Sequence, residues 1–269
     1  MNFTLCADDF GQTSEICEGI LTLVEHARIS AVSCMSNCTA WSTYAKALLK
    51  YKDRIDIGLH VNLDTLLGDD PTTIFDLAYA ILVGKLTHND IINAFFTQYH
   101  QFVEEIGRAP DFIDGHQHIH QFPIVAKAIL SGYLQYFPNK DPYFRLATLS
   151  FDHTVCYHAL TKKIIISLLG NFFLKGQLKK LGISHNDYFA GIYNFNHAPF
   201  YRKHFLNFID GIRPNTLIMC HPGFVTNDSN DPLQQFILLE YEYLMINCFF
   251  ELIRLKKIII HFAIFILSY

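Results

Sequence analysis

Charge is scarce in this 269-residue chain: Asp, Glu, Lys and Arg make up 17% of it and hydrophobic residues 51%, against roughly a quarter charged in an ordinary domain. With 21 Lys and Arg against 25 Asp and Glu, the formal net charge is −4. That excludes nucleic-acid binding through a basic surface, and the apolar content excludes intrinsic disorder. Glycine (14) and proline (9) are too few for a fibrous or low-complexity protein. Long hydrophobic runs are missing too. The strongest membrane candidate, Ile258 to Leu267, covers about ten residues and includes His261, half of the ~20 that cross a bilayer. It reads as a buried strand or docked tail, so no transmembrane segment is expected.

The seven cysteines, Cys6, Cys17, Cys34, Cys38, Cys156, Cys220 and Cys248, are odd in number and form no C-x-x-C pair. Reduced, mostly buried thiols are expected, not a disulfide framework. Met1 to Cys6 shows no basic region followed by a long apolar stretch, so no secretory leader is expected and the location reads as cytoplasmic. No G-x-G-x-x-G follows a strand, which removes the main sign of dinucleotide binding.

What is present is an alternation of short apolar runs and longer helical patterns. Strands are expected at Asn2–Ala7, Ile29–Met35, Ile55–Leu63, Phe112–His116, Tyr143–Thr148 and Asn215–Cys220. Between them, helical periodicity covers Thr13–His26, Trp41–Tyr51, Ile74–Val83, Asn89–Ile106, Ile124–Tyr136, Thr161–Leu181 and Leu233–Leu255. This order predicts an α/β fold with parallel strands, a closed or nearly closed (β/α) barrel over residues 1–269 with no internal repeat or linker. The segment 245–269 is unusually apolar, and exposed apolar surface there would favour a homodimer.

Histidine is the unusual count, at fourteen. Four strands end in acids or histidines: Asp8-Asp9, His60 in Gly58-Leu59-His60, Asp114-Gly115-His116-Gln117-His118-Ile119-His120, and His221-Pro222-Gly223. Singly, each has a plain explanation as a turn, a cap or a satisfied core histidine. Together they stand about 50, 55 and 105 residues apart, as successive βα units produce, and a barrel gathers strand C-termini around one mouth. Adjacent carboxylates repel unless neutralised, and a divalent cation does that directly. Catalytic sites for zinc-type ions use three protein ligands, which one Asp and two His supply. Such an ion brings the pKa of water toward neutrality, and a spare carboxylate and a histidine then serve as base and acid. If the fourth strand stays extended, Asp114, His116, His118 and His120 share one face. His116 is then the first ligand, Asp114 a partner orienting a histidine, His118 a substrate contact or additional ligand, and His120 the start of the loop. The remaining histidines read as surface or packing residues, and Tyr193 and Phe195 as loop packing ahead of a sugar platform.

At these residues the chain resembles the YdjC-like carbohydrate deacetylases, relatives of the polysaccharide deacetylases. The matching elements are Ala7-Asp8-Asp9-Phe10-Gly11, Gly58-Leu59-His60, Asp114 to His120 with Pro123, Arg145 in Tyr143-Phe144-Arg145, and His221-Pro222-Gly223. The resemblance implies a distorted (β/α) barrel of the NodB-like deacetylase type that removes an acetyl group from an N-acetylated sugar. It implies that Asp9, His60 and His116 hold one metal ion, magnesium or zinc. It also makes Asp8 the base and His221 the acid, while Arg145 orients Asp8 or holds substrate. Two imidazoles favour zinc or another transition metal on ligand softness. The chain departs from the family in its apolar last residues and at Ile237, where an Arg usually stands three residues before a Glu, here Glu240. Two other readings compete. One is an amidohydrolase-type barrel, which would bind metal through both His116 and His118. The other is a catalytically silent metal- or glycan-binding barrel.

Overall fold

The computed structural model describes residues 2–68, 73–139, 141–148, 162–193, 200–225, 232–246 and 259–260. Its strands are β1 Asn2–Phe10, β2 Ala31–Cys34, β3 Asp56–Val61, β4 Phe112–Gly115, β5 Tyr143–Phe144, β6 Tyr188–Ala190, β7 Thr216–Cys220 and β8 Ile259–Ile260. The helices are α1 Ser14–Glu25, α2 Trp41–Tyr44, α3 Ile74–Leu82, α4 His88–Ile106, α5 Pro123–Tyr136, α6 Lys162–Leu181, α7 Tyr201–Asp210 and α8 Pro232–Met245. The described pairings are all parallel, in the order β5-β4-β3-β2-β1-β7-β6, with β8 beside the start of β1. The sheet curls until one bridge, Phe144 with His185, links its two edges. The alternation predicted the parallel (β/α) arrangement, and the distorted barrel is the one that the resemblance implied.

Side-chain parity divides the sheet into two faces. Leu5, Ala7, Val32, Ile57 and Leu59 join the large cluster with the helices. Cys6, Ala31, Phe112, Phe189, Leu217 and Met219 form a second cluster on the enclosed face. The interior is tight: a Cβ on Gly58 would lie 2.3 Å from the Phe112 ring, so the ring occupies the space that glycine leaves. Outside, α1 starts at Thr13, whose hydroxyl accepts from the Ile16 N–H, and it buries Ile16, Ile20, Leu23 and Val24. Helices α3 and α4 open with capping boxes, Thr73 with Asp76 and Thr87 with Asp90.

Several local expectations change. The fifth strand stops at Phe144 because side-chain amides replace the ladder: Leu146 N–H donates to Asn186 Oδ1 at 2.7 Å and Ala147 N–H to Gln121 Oε1 at 3.0 Å. The helix expected over Trp41–Tyr51 is four α residues followed by a 3₁₀ stretch, Ala45–Tyr51; it begins without a side-chain cap. Two elements are additional. β6 has three residues, too few to show a period, and α7 opens at Phe200 with no capping side chain. The described part of the last helix ends at Met245. Of the apolar tail only residues 245, 246, 259 and 260 are described; Ile259 and Ile260 pair with Asn2 and Phe3. Phe195, His153, His158, His197, His261, Cys156 and Cys248 lie outside the described residues. No helix among the described residues is long and apolar enough to cross a membrane.

Candidate functional site

Neighbouring residues of a regular strand point to opposite faces, yet Asp8 and Asp9 both serve the barrel mouth. The register of β1 against β2 shifts between Ala7 and Phe10, and Asp9 has φ +67°. This bulge in the strand re-aims the second carboxylate. The left-handed conformation costs a non-glycine residue about 1–2 kcal/mol, which the contacts of Asp9 must offset.

Those contacts are two imidazoles. Asp9 Oδ1 is 3.1 Å from His116 Nδ1 and 3.4 Å from His60 Nε2. Asp9, His60 and His116 each offer one ligand atom, all within 4.8 Å of one another. The rings of the two histidines stand 5.6 Å apart at 77°. Burial alone would raise the Asp9 carboxyl, but His116, together with hydrogen bonds from His116 and His60, holds it well below the usual carboxylate range.

His60 is oriented from behind. It lies opposite Asp114 in the β3–β4 register, and its Nδ1 donates to Asp114 Oδ1 at 2.6 Å. Ser33, in β2, donates to the same Asp114 oxygen at 2.6 Å. This leaves His60 Nε2 facing Asp9. Asp114 is fully buried, and Arg145 and His60 overcome that burial to keep its carboxyl below the usual range.

Arg145, fully buried, joins both halves of the site. Its Nη1 and Nη2 donate to Asp8 Oδ1 and Oδ2 at 2.5 and 2.8 Å, and its Nε lies 2.8 Å from Asp114 Oδ2. One guanidinium thus engages both buried carboxylates, adding to the His60 and Ser33 contacts that Asp114 already has and supplying the cation that Asp8 needs. Phe189 covers the guanidinium at 5.9 Å.

The fourth strand does not stay extended beyond Gly115. A 3₁₀ turn, His116–Gln121, follows, with Gln117 and His118 in left-handed conformations, φ 52° and 59°. The shared face expected for Asp114, His116, His118 and His120 is therefore broken. His118 stands edge-on to Phe189 at 5.5 Å and is outside the three-residue cluster. Burial, then Arg145, holds its pKa well below the ordinary histidine value. His120 is not at the start of a loop but buried, with Nε2 2.8 Å from the Arg145 carbonyl oxygen.

His221 follows β7, half-buried, and its field reaches both Asp9 and His118. Its backbone N–H donates to Glu240 Oε2 at 2.6 Å, and the other Glu240 oxygen accepts from Tyr193 at 2.6 Å. Tyr193 is thus a buried support. The His221-Pro222-Gly223 segment lies close over α1: a Cβ on Gly19 would be 2.7 Å from the Gly223 Cα. Ile237 packs there as well, its carbonyl accepting from Gly223 N–H at 3.3 Å.

Sequence reasoning missed Ser33, Gln98 and Asp64. Ser33 carried a signal, as the lone hydroxyl in the apolar run of β2. Asp64, placed in a polar loop by its neighbours, lies with Oδ2 3.6 Å from His116 Nε2.

The sequence pattern of the YdjC-like protein family matches residues 2–254. The chain belongs to the YdjC-like family. Among curated relatives of this family member, a human protein named carbohydrate deacetylase is 28% identical over 151 residues, 51% of this chain and 46% of its own length. A Yersinia enterocolitica protein named chitooligosaccharide deacetylase is 29% identical over 136 residues, 46% of this chain and 53% of its own. The YdjC-like chain therefore spans about half the length of the curated relatives it matches. A solved structure from Enterococcus faecalis V583, provisionally named a cellobiose-phosphate cleavage protein, superposes with a TM-score of 0.67 at 17% identity, covering 97% of this chain and 96% of that one. That likeness concerns the fold.

Proposed function

We propose that this YdjC-like protein is a metal-dependent deacetylase of N-acetylated carbohydrates. One observation carries the reading: Asp9, His60 and His116 present ligand atoms within 4.8 Å of one another, beside a second carboxylate, Asp8. The names of the relatives from human and Yersinia support the substrate class.

The donor set fits a divalent ion. One carboxylate and two imidazoles suit a zinc-type cation, with magnesium the harder alternative. His60 is suited to the task because Asp114 engages its other nitrogen. When bound, the ion would act as a Lewis acid on the acetyl carbonyl and make water acidic enough to ionise near neutral pH.

The chain's own residues would do the rest. Asp8, locked by Arg145, keeps a second lone pair on each oxygen and would accept the proton of the attacking water. His221, its backbone held by Glu240, would deliver a proton to the departing amine nitrogen. Phe189, lying against both Arg145 and His118, keeps water from the inner side of the carboxylates. The buried free thiols of Cys6, Cys17, Cys34 and Cys220 fit a cytoplasmic, reducing location.

The test is acetate release from N-acetylated chitooligosaccharides by the zinc- and magnesium-loaded protein, alongside Asp8→Asn. General-base loss should lower turnover at least ~100-fold with metal content retained. A parent protein that loads metal and deacetylates no acetylated sugar would refute the reading and leave a silent binding barrel.

A further inference from the structure

We infer that Asp64 is a positioning residue for His116, the counterpart of Asp114 behind His60; this rests on the metal-centre reading of Asp9, His60 and His116. The two imidazoles are arranged alike. His60 turns Nε2 toward Asp9, at 3.4 Å, and Nδ1 toward Asp114, at 2.6 Å. His116 turns Nδ1 toward Asp9, at 3.1 Å, and Nε2 toward Asp64, at 3.6 Å. Each ring thus has one nitrogen at the shared carboxylate and the other backed by a carboxylate of its own. A histidine whose far nitrogen faces a carboxylate is held in tautomer and orientation, which raises its strength as a ligand. His60 is held by a hydrogen bond, His116 by the charge of Asp64 at a distance longer than a hydrogen bond.

Two further observations define the role. Asp64 is not among the residues whose ligand atoms lie within 4.8 Å of one another, so it acts through His116 and not as a fourth ligand. It is also held in place by a short chain of contacts. Asp64 opens a 3₁₀ turn, Asp64–Leu67, and its N–H donates to Asn62 Oδ1 at 3.0 Å. Asn62 in turn is clamped by buried Gln98 on α4, whose Oε1 accepts from the Asn62 N–H at 2.8 Å and whose Nε2 donates to the Asn62 carbonyl at 2.7 Å. The Gln117 side chain also hydrogen-bonds Asp64. The barrel wall, through α4, therefore sets where this carboxylate stands. Unlike Asp114, which is fully buried, the Asp64 side chain is 26% exposed and its pair is longer. Its contribution is accordingly the smaller of the two.

The experiment measures zinc affinity of the full chain by competition with a chromophoric chelator, for the parent, Asp64→Ala, Asp64→Asn and Asp64→Glu. Cobalt-substituted absorption spectra and melting temperatures of the metal-free proteins accompany it. Asp64→Ala should weaken zinc binding about 10-fold, the lower end of the range for such partners. Asp64→Glu, which keeps the charge that acts across 3.6 Å, should recover part of the loss, and Asp64→Asn, which lacks it, less. The cobalt band should keep the intensity of the same coordination number, and the metal-free melting temperature should stay unchanged, which a merely structural role would not allow. Equal zinc affinity in parent and Asp64→Ala overturns the inference while leaving the metal centre intact. A cobalt spectrum showing a lost ligand overturns it by making Asp64 a direct ligand. A parent that binds no divalent ion overturns the metal-centre reading itself, and this inference with it.

Discussion

Arg145 meets Asp8 in a two-pronged pair, 2.5 and 2.8 Å, wholly inside the barrel mouth. The same guanidinium also reaches Asp114 at 2.8 Å, so its loss would strand Asp8 and leave Asp114 with His60 and Ser33 alone. Breaking a buried pair of this kind costs about 3–5 kcal/mol. Arg145→Lys keeps the charge but not the planar fork. It is expected to lower unfolding free energy in urea by several kcal/mol and to abolish acetate release. A variant as stable as the parent would show that the pair does not hold the mouth.

The interior layer beneath the site makes a packing prediction. Gly58→Ala places a methyl 2.3 Å from the Phe112 ring, in a region also filled by Tyr143, which stacks on Phe112 at 5.2 Å. Overpacking of this sort destabilises by about 1–3 kcal/mol. Phe112→Leu in the Gly58→Ala background should return part of that loss. Chemical denaturation of the two single variants and the double variant measures the coupling, and strictly additive effects would contradict it.

Asp56 supplies a pH dependence remote from the mouth. Burial, then repulsion from Asp111, raises its pKa to about 6, against the opposing pull of Tyr143 and Arg108. A carboxyl raised in the folded state favours folding most below its unfolded value of about 3.9, and that contribution is lost as pH climbs toward 6. Asp56→Asn can still accept from the Tyr143 hydroxyl, 3.0 Å away in the parent. Relative to the parent, it should gain stability between pH 4 and pH 7, on the order of 1–2 kcal/mol. Urea unfolding at both pH values reads this; a gap that does not change with pH would contradict it.

The barrel was legible because short apolar runs and helical stretches alternate cleanly through β1 to β4. The placement of Asp9, His60 and His116 near one another follows from the same alternation, since parallel strands deliver their ends to one side. Other features left little trace in the sequence. The bulge that aims Asp9 depends on a single positive φ at a non-glycine residue. The end of β4 at Gly115 depends on two left-handed residues, Gln117 and His118, where alternating histidines suggested a continued strand. Asp64 becomes relevant only through its approach to His116, which the fold sets by clamping Asn62 with Gln98, 36 residues away in sequence. β5 was read too long because the amides that replace its ladder come from Gln121 and Asn186, distant positions that no local pattern announces.

The most direct measurement is the zinc stoichiometry and affinity of the purified, chelator-stripped chain, by titration calorimetry, beside Asp9→Ala and His116→Ala. One ion per chain in the parent, lost or weakened at least ~100-fold in both variants, is the predicted result. A parent that takes up no ion, or variants that bind as the parent does, would contradict a metal centre at these three residues.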